Sequence, residues 1–252
     1  MDADLAAFLI EYVKMSREVL NLRQAAEHVH LDANELRHVA QRGEIEAQRR
    51  GDEWFFEHRA LDEWAQRNLL SSTPRELSKQ HRVMMDEERR SSRGAWCVAD
   101  LFTASGVELG IPAKAKAGIL RDMTDLAART GHVYDADGLF KELVAREEAA
   151  STAIGAGIAL LHPRFHDPYL FEESFVAYGR SLRPVFFGAP EGAGTRHFFL
   201  ICSTDHEAHL HILARLAMLA HGTDLVERLD AAETTEEVLE LIRQVEAPFS
   251  SP

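Results

Sequence analysis

The segment Thr152-Ala153-Ile154-Gly155-Ala156-Gly157-Ile158-Ala159-Leu160-Leu161-His162 constrains the fold more than any other stretch of this chain. Its glycines mark a turn, and the apolar run that follows predicts a buried strand. A buried strand needs packed layers on it, and the flanks supply them. Ala115–Thr130 places Ile119, Leu120, Met123, Leu126 and Ala127 on one helical face. Asp135–Arg146 is a second amphipathic helix carrying Leu139, Phe140, Leu143 and Val144, with Asp135 or Asp137 as its cap. A short element at Val98–Phe102 precedes them. Phe171–Tyr178, Val185-Phe186-Phe187 and His197–Cys202 read as further strands, and Glu207–Ala220, Val226–Leu229 and Glu236–Val245 as helices. Helices alternating with apolar strands imply an α/β sandwich. His162 falls at the end of the buried strand, where functional sites are commonly built.

Composition narrows the class further. Of 252 residues, 46% are apolar and 27% charged, which excludes a wholly disordered chain. No apolar run approaches the ~18 residues of a membrane span, so no membrane insertion is expected. Asp2, Asp4 and Glu11 interrupt the apolar residues of positions 1–16, which excludes a secretory signal there. Cys97 and Cys202 form no CxxC and read as reduced thiols of a cytoplasmic protein. The net charge of −13 argues against bulk attraction to nucleic acid or to an anionic membrane, so any such binding needs a local patch. Residues 70–95 are polar, contain Pro74 and end in Arg89, Arg90 and Arg93. They read as a linker, with a short helix over Glu76–Glu88.

The region before the linker holds two pieces. In residues 1–16, Leu5, Phe8, Leu9, Tyr12 and Val13 follow helical spacing, which suits a helix packed on its own domain or a dimerisation helix of a homodimer. In residues 17–69, Leu22, Ala25, Ala26 and Val29 give one short apolar face, and Leu36, Val39 and Ala40 a second, with Asp32 as N-cap and Gly43 as stop. Two short helices around a tight turn are a helix-turn-helix pattern. Ile45–Arg49 and Glu53–Phe56 then flank Arg50-Gly51-Asp52 as a hairpin or wing, and Leu61 and Trp64 sit on a closing helix.

That order resembles the excisionase-type, MerR-like winged-helix family. Leu22-x-x-Ala25-Ala26, Arg42-Gly43-Glu44-Ile45, Gly51-Asp52-Glu53-Trp54 and Ala60-Leu61-Asp62-Glu63-Trp64 carry the resemblance. It implies a second helix that enters the DNA major groove and a wing on the backbone. Asn34, Arg37, His38, Gln41 and Arg42 would line that helix, with Arg49 and Arg50 at the wing. Glu35, Glu44, Glu46, Asp52, Glu53 and Glu57 oppose them, and the alternative is a winged helix turned to protein contact.

The region after the linker, residues 96–249, resembles the type-2 EIIA domain of the phosphoenolpyruvate-dependent sugar phosphotransferase system, including its nitrogen-regulatory branch. Leu143-Val144-Ala145-Arg146-Glu147 and the Ser151–His162 segment carry the match, with His209-Leu210-His211 and the Arg228–Leu239 stretch in the family's order. The resemblance implies that His162 is phosphorylated, that His209 donates a hydrogen bond toward the phosphoryl group, and that Arg146 supplies positive charge. It implies a phosphocarrier protein such as HPr as donor. The chemistry is sound in itself, because neutral imidazole is a competent nucleophile near pH 7. The family's Pro-His-Gly is here Leu161-His162-Pro163, and Pro163 offers no backbone N–H and restricts His162 to extended angles.

The expected architecture is α+β overall: a small winged helix-turn-helix domain, then an EIIA-like α/β sandwich with a mixed sheet flanked by helices. The expected function is regulatory phosphoryl acceptance coupled to the helix-turn-helix module, in transcriptional or nitrogen/carbon control. One rival is an EIIA that passes phosphate to a membrane sugar permease, disfavoured because no permease segment is attached. The other is a binding module with a vestigial His162. Histidines also cluster at His206, His209 and His211 beside Asp205 and Glu207, and at His162 and His166. No His-Glu-x-x-His or Cys/His framework accompanies them, so neither a metal nor another cofactor is expected.

Overall fold

The structure is a computed structural model that describes residues 19–72, 76, 97–164 and 170–250. The helix expected in residues 1–16, most of the linker with Arg89, Arg90 and Arg93, and His166 lie outside the described residues. The chain divides into two units, residues 1–68 and 69–252.

In the first unit, β1 (Val19–Asn21) leads into α1 (Leu22–His28) and α2 (Ala33–Gln41). Asn21 and Gln24 form a reciprocal capping box at the start of α1. The Asp32 carboxylate accepts the Asn34 and Glu35 amides to cap α2. That helix ends on Gly43 at φ +72°, with Gly43 N–H donating to Ala40 O and Glu44 N–H to Val39 O, the paired bonds of a Schellman stop. Strands β2 (Ala47–Arg50) and β3 (Glu53–Glu57) form an antiparallel hairpin, and β1 adds to its other side in the order β1-β3-β2. Helix α3 (His58–Ser71) follows, with Leu61, Trp64 and Ala65 buried.

The second unit opens on a 3₁₀ turn (Val98–Leu101) and continues into β4 (Phe102–Ile111), α4 (Lys116–Arg129) and α5 (Ala136–Ala149). The short element expected at Val98–Phe102 is thus the prelude to a ten-residue strand. Asp135 caps α5 by accepting the Gly138 amide at 2.9 Å. Next come β5 (Ala153–Gly155), β6 (Ile158–Leu161), β7 (Phe175–Val185), β8 (Thr195–Cys202), α6 (His206–Gly222), α7 (Leu225–Ala231) and α8 (Thr235–Ser250). The two strands expected at Phe171–Tyr178 and Val185–Phe187 are one strand, β7; Phe171 makes only an isolated bridge to Val133. Pro184 sits inside it where the ladder to β8 slips between Arg180 and Val185, so its missing N–H breaks no regular bond.

The sheet order is β4-β7-β8-β6-β5, parallel for β4–β7 and β8–β6 and antiparallel for β7–β8 and β6–β5. Alternation on β8 sends Phe198, Leu200 and Cys202 into a core with Ile119, Met123, Leu139 and Leu143 of α4 and α5. Residues of the other parity, such as Phe199 and Ile201, are equally buried, so helices cover both faces. Glu246 of α8 ties the end of this unit to its beginning: its carboxylate accepts Val98 N–H at 2.8 Å and Ala99 N–H at 2.6 Å, and lies 3.5 Å from Arg215 Nε. Among the described residues no helix is long and apolar enough to cross a membrane. Neither Cys97 nor Cys202 is in a disulfide, and Cys97 Sγ–H donates to Glu246 at 3.1 Å.

Candidate functional site

Strands β6 and β8 run parallel in register Leu161↔Leu200, so the residues that follow each emerge at the same carboxyl edge of the sheet. His162 directly follows β6, and Ser203 and then α6 follow β8. Topology thereby joins two histidines 47 positions apart in sequence: the ring centroids of His162 and His209 are 5.0 Å apart. Carboxyl edges of adjacent strands are where α/β folds build sites. His209 sits in the first turn of α6, whose N-cap is Asp205, and its Nδ1 is 3.2 Å from Ser203 Oγ.

Arg146 arrives from the last turn of α5. Its Nε donates to His162 Nε2 at 2.9 Å and its Nη1 donates to Ala150 O at 2.8 Å. On the other side of the ring, His162 Nδ1 lies 2.8 Å from Leu160 O. A carbonyl only accepts and a guanidinium only donates. These partners therefore assign the tautomer: the proton is on Nδ1, and the lone pair is on Nε2, facing Arg146. Arg146, His162 and His209 are all buried. The structure thus brings together the three residues expected at this site.

A network that sequence reading missed supports the ring. Glu147, next to Arg146, accepts Thr152 N–H at 2.9 Å and Thr152 Oγ–H at 2.6 Å on one carboxylate oxygen. Its other oxygen is 2.6 Å from Lys116 Nζ, which lies over the Phe187 ring. Ser151 Oγ donates to Phe187 O, which anchors the same turn.

At the opposite edge of the sheet a second buried histidine has a different setting. Tyr178 OH lies 2.9 Å from His197 Nδ1, and His197 Nε2 lies 3.4 Å from Asp230, which Arg196 also contacts at 2.6 Å. Burial pulls the His197 pKa from 6.5 down to about 4, with Arg196 and Arg180 adding to the effect and Asp230 opposing it. Burial likewise pushes the Tyr178 phenol up.

In the first unit, Asn34, Arg37, His38 and Gln41 are exposed on the outer face of α2, opposite buried Leu36, Val39 and Ala40. Arg37 donates to Asn34 at 3.1 Å and His38 pairs with Gln41 at 3.2 Å. Arg42 is held by Glu44, and this hydrogen bond keeps the Glu44 carboxyl below its ordinary value. At the hairpin, Arg49 contacts Gly51 O at 3.0 Å and Asp52 at 3.4 Å, while Arg50 lies over the Phe55 ring and donates to Gln48. All seven are exposed, yet only part of their charge is uncompensated by an acid on the same unit.

A mixed five-stranded sheet with helices on both faces and two histidines at one edge defines an α/β domain suited to histidine chemistry. The family profile of the phosphoenolpyruvate-dependent sugar phosphotransferase system, EIIA 2, matches residues 100–245, more than half of the chain, and the chain belongs to that family. It is 31% identical over 140 residues to a nitrogen regulatory protein of Pseudomonas aeruginosa, covering 55% of this chain and 89% of that one. It is 26% identical over 149 residues to the fructose-specific EIIABC component of Bacillus subtilis, covering 58% of this chain but only 23% of that longer protein. Among solved structures, the nitrogen regulatory protein IIA-Ntr from Neisseria meningitidis superposes with a TM-score of 0.53 at 24% identity, over 57% of this chain and 98% of that one. At that identity the likeness concerns the fold.

Proposed function

We propose that this protein is a regulatory phosphocarrier that accepts a phosphoryl group on Nε2 of His162 from a phosphohistidine of an HPr-like protein. The observation that carries the reading is the pair of hydrogen bonds on His162, which leaves a lone pair on Nε2 beside a guanidinium. In the resting state Arg146 Nε–H occupies that lone pair. Transfer requires Arg146 to swing from nitrogen to phosphoryl oxygen, where its charge offsets the charge that spreads over the group in the transition state. The donor's P–N bond breaks as the bond to Nε2 forms. No proton leaves His162, because its one ring proton is on Nδ1. The ring gains positive charge, and Leu160 O, which accepts that Nδ1 proton, stabilises it. His209 stands beside the ring in the first turn of α6, where a helix N-terminus favours negative charge.

The module expected at residues 17–69 supplies the regulatory half of the proposal as a winged helix-turn-helix of a cytoplasmic protein. Its support is the exposed polar face of α2, where Asn34, Arg37, His38 and Gln41 offer groups that hydrogen-bond bases and phosphates. Phosphorylation of His162 adds about two negative charges to the chain, and in this reading it changes what that face binds.

Two measurements test the proposal. Incubated with phosphoenolpyruvate, enzyme I and HPr, the wild-type protein takes up label and His162→Ala takes up none; equal labelling of both would end the assignment. In gel-retardation assays at low salt the full chain shifts DNA, and Arg37→Ala weakens that shift about tenfold. The absence of any shift across a genomic fragment pool would turn the module to protein contact instead.

A further inference from the structure

Four residues in line connect the end of α5 to the proton on His162. Glu147 grips Thr152 through both its N–H (2.9 Å) and its hydroxyl (2.6 Å). Thr152 O accepts Leu160 N–H at 3.0 Å. Leu160 O faces His162 Nδ1 at 2.8 Å. A strand residue presents its N–H and C=O on the same side, so the bond that holds Leu160 N–H also aims Leu160 O at the ring. Lys116, from the start of α4, holds the second Glu147 oxygen at 2.6 Å, and the Glu147 side chain is only 2% exposed.

Arg146 and Glu147 are consecutive on α5, and successive helical residues point about 100° apart. One reaches the Nε2 side of His162 directly. The other reaches the Nδ1 side through the strand. The two faces of the ring are thus set by adjacent residues of one helix turn.

We propose that Glu147, backed by Lys116, is a positioning residue that fixes the Nδ1–H tautomer of His162 by pinning Thr152 and, through it, the Leu160 carbonyl. A histidine's protonated nitrogen is decided by the hydrogen bond its other nitrogen makes. When Thr152 is released, Leu160 O no longer has a fixed direction and the ring proton distributes between Nδ1 and Nε2. Every molecule with the proton on Nε2 lacks the nucleophilic lone pair. The consequence for transfer rests on His162 being the phosphoryl acceptor; the tautomer itself does not.

The test is ¹⁵N NMR of the full-length protein with labelled histidine, run beside phosphoryl-transfer rates. Wild type shows His162 with a protonated Nδ1 and a bare Nε2. Glu147→Ala shows a mixture and transfers about ten- to hundredfold more slowly. Glu147→Gln, which keeps an oxygen for Thr152, restores the wild-type tautomer and most of the rate. If Glu147→Ala does not fold, Thr152→Val carries the test: it keeps the Thr152 N–H, loses the hydroxyl, and shows a smaller shift in the same direction. An unchanged Nδ1–H signal in folded Glu147→Ala, or in Thr152→Val where the former does not fold, overturns the proposal, whatever the rate does. A tautomer shift in a protein whose wild type accepts no phosphate upholds the positioning role and removes only the acceptor reading.

Discussion

His162, directly after β6, and His197, near the start of β8, lie at opposite ends of two neighbouring parallel strands, both shielded from water. At the carboxyl edge, His162 is gripped by a carbonyl on Nδ1 and a guanidinium on Nε2. At the amino edge, His197 has a phenol at Nδ1 and a carboxylate at Nε2. The carboxylate only accepts, so the His197 proton belongs on Nε2, the reverse of His162. Burial alone does not make a histidine reactive. What differs is which nitrogen is unprotonated and what faces it. An unprotonated Nε2 that accepts from a cation suits an incoming anion, whereas an unprotonated Nδ1 taken up by a tyrosine hydroxyl inside the sheet is a structural tie.

The largest expected effect separates the two edges by their arginines. Arg146→Ala slows phosphoryl transfer about 10²–10³-fold, the usual loss when one oriented donor to a developing anion is removed. Arg196→Ala, at the other edge, leaves the rate within about twofold. Single-turnover transfer from phosphorylated HPr measures both, and equal losses would erase the distinction between the two edges.

The next effect is on stability. In the unfolded chain His197 takes up a proton as the pH falls through about 6.5, whereas in the folded protein it does so only near 4. The unfolded state therefore binds more protons across this window. Its contribution to stability is fully present above about pH 6.5 and is lost as the pH falls toward 4, by on the order of 3 kcal/mol. Urea unfolding of wild type and His197→Asn between pH 7 and 4.5 checks this. The variant starts less stable and its profile across the window is flatter, while its transfer rate at pH 7 stays near wild type.

The smallest effect lies in the hairpin that abuts His197. Gly155 pairs with Ile158, so Ala156 and Gly157 form a two-residue turn with φ of +51° and +76°. Positive φ at both positions is the type I′ hairpin geometry, which costs a residue with a Cβ about 1 kcal/mol. Gly157 O accepts the amides of both Arg196 and His197. Ala156→Gly should raise stability by about 1 kcal/mol with transfer unchanged, as read from urea midpoints. A slower transfer would mean that the amino edge does communicate with His162.

Much of this was legible from residue order, and the exceptions have physical causes. The turn before β6 and β6 itself were readable from the glycines and the apolar run, whereas the three-residue β5 that pairs with β6 was not. Strand β4 was missed because, at the rim of the sheet, Thr103, Ala104 and Ser105 are exposed and its pairing with β7 slips twice, which blurs the alternation. Strand β7 was split in two because Gly179 through Pro184 reads as a turn; the irregular ladder there absorbs it. At the site, Arg146, His162 and His209 could be named from a motif. Glu147 stood inside that motif without a role, because its partners Lys116 and Thr152 come from a different helix and from the turn after α5. Ser203 carried no signal at all; it reaches His209 because it lies in the short turn between β8 and α6, six residues before it, and the parallel pairing of β6 and β8 then sets both beside His162.

Phosphoryl acceptance as proposed needs His162 to offer Nε2, with its proton committed to Leu160. Phosphorylating the ¹⁵N-histidine-labelled protein from phosphoenolpyruvate, enzyme I and HPr, and reading the phosphorus–nitrogen coupling by NMR, tests it most directly. The expected result is one phosphoryl group, on Nε2 of His162, with Nδ1 still protonated. A phosphoryl group on Nδ1, on another histidine, or on none would contradict it.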